Sequence, residues 1–197
     1  MLEFEGNNLN LWGLCREGTR ALGPGLRYAI WTQGCLNHCM GCISPESHPI
    51  EPRHIVSVKS IICDILTKPY IQGITISGGE PFLQAASLAN MLREVKQKRP
   101  EMTVITFTGY QMEELQWVDA KDLLAQTDLL IDGPFRHDMP ACIGLRGSLN
   151  QRFHFLSHSL DEYRDEIVNG NRKQEIIVNN TDIVTIGIPT ENTDINL

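Results

Sequence analysis

At 197 residues, with 42% hydrophobic and 21% charged side chains, the chain is long enough to bury a core and ordinary for one soluble globular domain. Its formal net charge of −7 argues against nucleic acid as a partner, because phosphate contact wants clustered Lys and Arg. No apolar run approaches the roughly 18 residues of a membrane span, and the acidic start Met1-Leu2-Glu3-Phe4-Glu5 lacks a signal-peptide core, so a cytoplasmic protein with no membrane association is expected.

Taken in chain order, strands alternate with helices. Arg27 to Gln33 is an apolar and aromatic run that ends at a cysteine-rich loop, and it predicts the first strand. Val58, Ile61, Ile62, Ile65 and Leu66 recur at helical spacing behind Ser57, a suitable N-cap. Within that helix Cys63 stands among isoleucines and is expected to be a buried thiol. Ile71 to Ser77 predicts a second, buried strand, and Leu88, Met91, Leu92 and Val95 a helix that stops near Pro100. Thr103 to Phe107 is the third strand, Met112 to Ala125 a helical stretch, and Asp128 to Ile131 the fourth strand. Phe153 to Leu156 reads as a further strand. Glu175 to Val178 and Ile183 to Ile188 predict a hairpin around Asn179-Asn180, followed by a polar, mobile end from Thr190 to Leu197. Strands separated by helices imply right-handed βαβ units, an α/β class and a largely parallel sheet.

The polar motifs fall just past the carboxyl ends of the predicted strands, the edge where parallel α/β folds build their sites. Cys35, Cys39 and Cys42 follow the first strand in a C-x3-C-x2-C spacing; Ser77-Gly78-Gly79-Glu80-Pro81 follows the second, Thr108-Gly109-Tyr110 the third and Asp132-Gly133-Pro134-Phe135 the fourth. Three thiolates on one tight loop suit an iron–sulfur cluster with one iron left open to another ligand. On the cysteine spacing alone a zinc site completed by His38, His48 or His54 is the other reading. The Gly-Gly-Glu-Pro turn taken by itself is an ordinary strand-to-helix connection.

Together the two motifs resemble the radical S-adenosylmethionine (SAM) superfamily. Gly23-Pro24-Gly25-Leu26-Arg27, Thr32-Gln33-Gly34-Cys35, Cys39-Met40-Gly41-Cys42, Thr108-Gly109-Tyr110 and Leu145-Arg146-Gly147-Ser148-Leu149-Asn150-Gln151-Arg152 are similar to segments of the glycyl-radical-enzyme activases, and among these to the activating proteins of anaerobic ribonucleoside-triphosphate reductase. The likeness spans roughly residues 10–156, so the chain divides into a core at 1–156 and a C-terminal extension at 157–197.

The resemblance implies an incomplete (β/α) barrel of radical SAM type carrying a [4Fe-4S] cluster and SAM. Cys35, Cys39 and Cys42 would hold the cluster; Gly41, Ser77, Gly78, Gly79, Glu80, Pro81 and Thr108 would bind SAM. Arg27, Asp132, Arg146, Asn150 and Gln151 would contact substrate or partner. An electron passed from the cluster to the sulfonium would yield a 5′-deoxyadenosyl radical, which takes a hydrogen from a backbone glycine of a large partner, with anaerobic ribonucleotide reductase the leading one and a flavodoxin or ferredoxin as electron donor. Two other functions fit parts of the sequence: a stand-alone radical SAM enzyme acting on a small molecule or peptide, and a non-catalytic zinc or iron–sulfur module. Cys15 and Cys142 carry no readable role, and Trp12, Trp31 and Trp117 read as packing residues.

Overall fold

In a computed structural model of the chain, residues 7–178 and 183–189 are described. Seven strands form one sheet: β1 (Asn8–Thr19), β2 (Arg27–Thr32), β3 (His54–Ser57), β4 (Gly73–Gly78), β5 (Thr103–Phe107), β6 (Leu129–Asp132) and β7 (Arg152–Phe155). Their spatial order is β3-β1-β2-β4-β5-β6-β7. The central four, β2-β4-β5-β6, pair in parallel, whereas β1, β3 and β7 join them antiparallel at the two flanks. The protein is therefore a mixed α/β structure built on a seven-stranded sheet with a parallel centre. A separate antiparallel ribbon, β8 (Gln174–Val178) with β9 (Ile183–Gly187), follows it. The predicted Asn179-Asn180 turn and the end Thr190 to Leu197 lie outside the described residues.

Helices α1 (Val58–Leu66), α2 (Ala85–Lys98) and α3 (Val118–Leu124) supply the connections the parallel centre needs. The Ser57 hydroxyl accepts from the Ser60 amide at 3.2 Å, so the N-cap forms as expected. The helical stretch expected from Met112 is shorter: a 3-10 turn at Met112–Glu114 comes first, and α3 begins only after Trp117. A further helix, α4 (Arg164–Asn169), lies before the ribbon.

Alternation along the strands divides the core. Tyr28, Ile30, Ile74, Ile76, Val104 and Leu130 face the side that holds Ile61, Ile65, Leu88, Met91, Leu92 and Leu123 of the helices, each fully buried. At roughly 1.5–3 kcal/mol per buried side chain, that layer is the main source of stability. Cys63 corrects its expectation: it is exposed, because a helix burying positions 58, 61, 62 and 65 turns position 63 outward. The other face of the sheet carries Ala29, Trp31, Ile105 and Ile131. There Ile177 and Ile186 of the ribbon pack with Cys15, Ala21, Leu22, Ala29 and Trp31. The carboxylate of Glu175 anchors the ribbon, accepting from the Thr19 hydroxyl at 2.5 Å and the Arg20 amide at 2.9 Å.

Arg27 sits at the amino ends of the parallel strands, the edge opposite the cysteine loop, and is fully buried. All five of its N–H donors are used: on Thr75 Oγ1, on the Pro24, Ile74 and Thr103 carbonyls, and on Thr103 Oγ1, at 2.7–3.1 Å. Burial pushes its pKa down to about 9, against the pull of Asp128. The expectation that Arg27 contacts a partner is thus corrected; it fastens three strands and the loop before them.

Candidate active site

Strand β2 delivers the chain to the cysteine loop, and backbone bonds close that loop at its base. The Gly34 amide donates to the Ser47 carbonyl at 2.8 Å and the Cys35 amide to the His48 carbonyl at 3.0 Å. Inside, the Cys42 amide donates to the Cys39 carbonyl at 3.1 Å. His38, between the first two cysteines, has φ 45°, a left-handed conformation uncommon outside glycine. Cys35 is buried and Cys39 and Cys42 are half-buried. Burial raises the Cys35 and Cys42 thiol pKa values, while the amides of Asn37 and His38 at Cys35, and of Ser44 at Cys42, pull the other way. Amides directed at sulfur are the groups that stabilise a thiolate, whether free or on a metal.

The turn after β4 is built onto the same base. The Gly79 amide donates to the Thr32 carbonyl at 2.8 Å and the Glu80 amide to the Gly34 carbonyl at 2.7 Å. Gly78 has φ +102°, and a Cβ there would lie 2.5 Å from the Thr32 backbone nitrogen. A Cβ on Gly79 would overlap the Gly34 carbonyl. Only glycine lets the two loops approach so closely. Glu80 is buried and takes three donors: the Phe82 amide at 3.0 Å and Thr108 hydroxyl at 2.8 Å on one oxygen, the Gly109 amide at 2.8 Å on the other. Burial pushes its pKa up to about 7, although all three donors favour the carboxylate. Glu80 thereby locks the loop after β5 to the turn after β4, with Pro81 opening the short 3-10 turn behind it.

These loops wall a cavity of about 890 Å³, near the upper end of the ~300–1,000 Å³ usual for ligand sites. Cys35, Cys39, Cys42, Gly41, Ser77, Gly78, Gly79, Glu80 and Thr108 all line it. Pro81 does not; it is buried behind the turn. Trp31, Ser77 and Phe107 reach it from the face of the sheet away from the helices, so Trp31 is a wall residue and not packing alone, as is Trp12. The Trp12 indole N–H is buried with no acceptor among the described residues.

The residues expected to meet substrate or partner are placed differently. Asp132 is fully buried, and its carboxylate is taken by the Met112 amide at 2.7 Å and by Arg152, which also bridges to Glu113. Asn150 donates to the Pro134 carbonyl at 2.8 Å, and Arg146 lies 5.5 Å over the Phe153 ring while reaching the Gln151 carbonyl at 3.3 Å. Gln151 donates to the Gly133 carbonyl at 3.0 Å and accepts from the Gly147 amide at 2.8 Å. This segment therefore shapes the loop after β6; of the five residues, only Gln151 lines the cavity. Phe135, part of the motif after the fourth predicted strand, lines it too, as do Asn37, His137, Cys142, Arg172 and β9, which sequence reasoning missed. Asn37, one residue inside the cysteine motif, had the readable signal of position.

Among the described residues no three Cys, His, Asp or Glu side chains are gathered to hold a single metal ion. Three cysteines on one loop, with backbone amides directed at Cys35 and Cys42, are a donor set that a four-iron cluster takes, one thiolate at each corner. Residues 21–154 match the family described as a 4Fe-4S single cluster domain. The chain belongs to this family. The chain is similar to several activating enzymes. It is 31% identical over 134 residues to the anaerobic ribonucleoside-triphosphate reductase-activating protein of Enterobacteria phage T4, covering 66% of this chain and 84% of that one. It is 32% identical over 152 residues to a pyruvate formate-lyase-activating enzyme of Staphylococcus aureus, covering 74% and 61%. A Staphylococcus epidermidis enzyme of the same name is 41% identical over 93 residues, covering 44% and 37%. The 4Fe-4S domain protein is accordingly an enzyme of the radical SAM activase type, with the cluster and SAM as its cofactors. Among its described residues no helix is long and apolar enough to cross a membrane.

Proposed function

We propose that the protein installs a glycyl radical on a large partner enzyme, by reductive cleavage of SAM on a partial (β/α) barrel spanning residues 1–156, with 157–197 as an added element. The observation that carries this reading is that the cysteine loop and the Gly78-Gly79-Glu80 turn line one cavity and share a hydrogen-bonded base. Cys35, Cys39 and Cys42 would hold the cluster. When bound, the cluster supplies one electron to the sulfonium of SAM, delivered by a flavodoxin or ferredoxin.

The chain's own residues bind, orient and exclude water. Glycines 78 and 79 leave backbone groups open to the amino-acid end of SAM, and Ser77 and Thr108 stand at the same rim for its carboxylate or ribose. Trp12, Trp31 and Phe107 give the rest of the cavity an apolar surface that keeps water from a reactive carbon. Within the Arg146–Arg152 segment, Gly147 and Gln151 line the cavity and are set to meet an incoming partner. An anaerobic ribonucleoside-triphosphate reductase is the partner favoured, since the phage relative bears that name and is covered over 84% of its length.

The test is anaerobic reconstitution with iron and sulfide, dithionite reduction and product analysis with SAM. Formation of 5′-deoxyadenosine that vanishes in Cys35→Ala, Cys39→Ala or Cys42→Ala supports the reading. Stoichiometric zinc with no SAM cleavage would refute it.

A further inference from the structure

The ribbon β8–β9 lies outside the residues matched by the family, yet Val184 to Pro189 line the same cavity as the three cysteines. Four of these, Val184 to Gly187, are successive residues of β9, and because alternate side chains of a strand point to opposite faces, successive residues line one cavity together when the strand presents an edge to it. In this structure β9 pairs with β8 alone; its second edge meets no described strand. A strand paired on one side leaves alternate N–H and C=O groups without partners on the other.

That edge is held rigidly. Ile186 is buried against Ala21, Leu22 and Ala29. Glu175 anchors the neighbouring strand to Thr19 and Arg20, and Arg172 donates to the Pro189 and Arg146 carbonyls. A preformed edge adds a new strand without first having to be ordered. Phe135, Gly133 and Gly147 line the same cavity, where apolar surface and bare backbone leave room for small or aliphatic side chains.

We infer that the free edge of β9 receives an extended peptide segment of the partner by strand addition, which carries a backbone glycine into the cavity. Main-chain bonds would supply the affinity, and alternate side chains the selectivity. The inference rests on the activase reading and adds to it the place where the partner's segment docks, the second edge of β9. In the step it serves, a C–H bond of the glycine α-carbon breaks homolytically as a C–H bond forms at the 5′ carbon derived from SAM. The unpaired electron stays on glycine, and the electron that cleaved SAM comes from the reductant.

The experiment uses the full cluster-loaded chain, SAM, dithionite and a peptide of about seven residues, a strand's length, with α-dideuterated glycine at its centre and Val or Thr on either side. Deuterium is expected in 5′-deoxyadenosine. N-methylation of one alternate set of peptide amides should lower transfer by about tenfold, and methylation of the other set by less than about twofold, since only one set faces β9. A photoreactive flanking residue should crosslink within residues 184–187. Equal effects of the two sets, crosslinks confined to other walls, or SAM cleavage without deuterium transfer each overturn strand addition and leave the activase reading standing. If no form cleaves SAM, the activase reading itself falls, and strand addition falls with it.

Discussion

Glu80 is held between two opposing demands. Three donors prefer its carboxylate, while complete burial prefers its neutral acid and pushes the pKa up to about 7. Because the folded value lies above the unfolded one, the native state keeps a proton that the unfolded chain releases. Glu80's contribution is full below pH about 4.5 and is lost as pH rises through about 7, a change of roughly 3 kcal/mol over that window. Urea unfolding at stepped pH should show this slope in the wild type and its absence in Glu80→Gln; equal slopes would exclude Glu80 as its source. Gly79 makes a second test at this scale. Gly79→Ala drives a methyl into the Gly34 carbonyl, a backbone atom with no rotamer to yield, and should cost about 2 kcal/mol or more in the same assay. A loss below about 0.5 kcal/mol would show that the loops part freely. Both residues were visible in the sequence as a motif. Their pairing was not, since Thr32, Gly34, Thr108 and Gly109, though in motifs of their own, come to them only through strand pairing.

Among the elements, the four parallel strands and the helices between them were legible because each carries a compact apolar, aromatic or β-branched run or a 3.6-residue apolar period. β1 was not. Its sequence, NLNLWGLCREGT, breaks alternation at Gly13 and mixes polar residues into a strand that bulges against β2. β3 was missed for a different reason: it is short, mostly exposed and held by pairing to β1 rather than by an apolar face of its own. The β8–β9 ribbon was read correctly as a hairpin, but its place was hidden, because its anchor joins Glu175 to Thr19 across the length of the chain. Glu175→Ala should loosen the ribbon without melting the core. Hydrogen exchange at residues 174–178 should quicken by about tenfold or more while α1 and α2 keep their protection. Uniform acceleration across all of these would mean that the ribbon belongs to the core's cooperative unit.

Across the whole molecule, the two ends of the parallel strands do different work. The carboxyl ends hold loops, glycines and cysteines, and the amino ends hold Arg27 with every donor occupied. The G-P-G-x-R motif suggested contact with a partner, but it could not reveal that Thr75 and Thr103 would surround its arginine. Arg27→Lys offers three donors to five acceptor sites and should lose roughly 3 kcal/mol in chemical denaturation. Iron–sulfur absorbance per folded molecule should stay unchanged after reconstitution, and a weakened cluster signal would tie the two ends together. The ribbon also sets an order of assembly. Its residues follow every other wall of the cavity along the chain, so during synthesis the cysteine loop and the glycine turn can come together while one flank still stands open. Iron and sulfide handed over by a carrier would have their widest approach then. Ribbon closure afterwards would leave the metal centre shielded on that side from oxygen and chelators before any partner arrives.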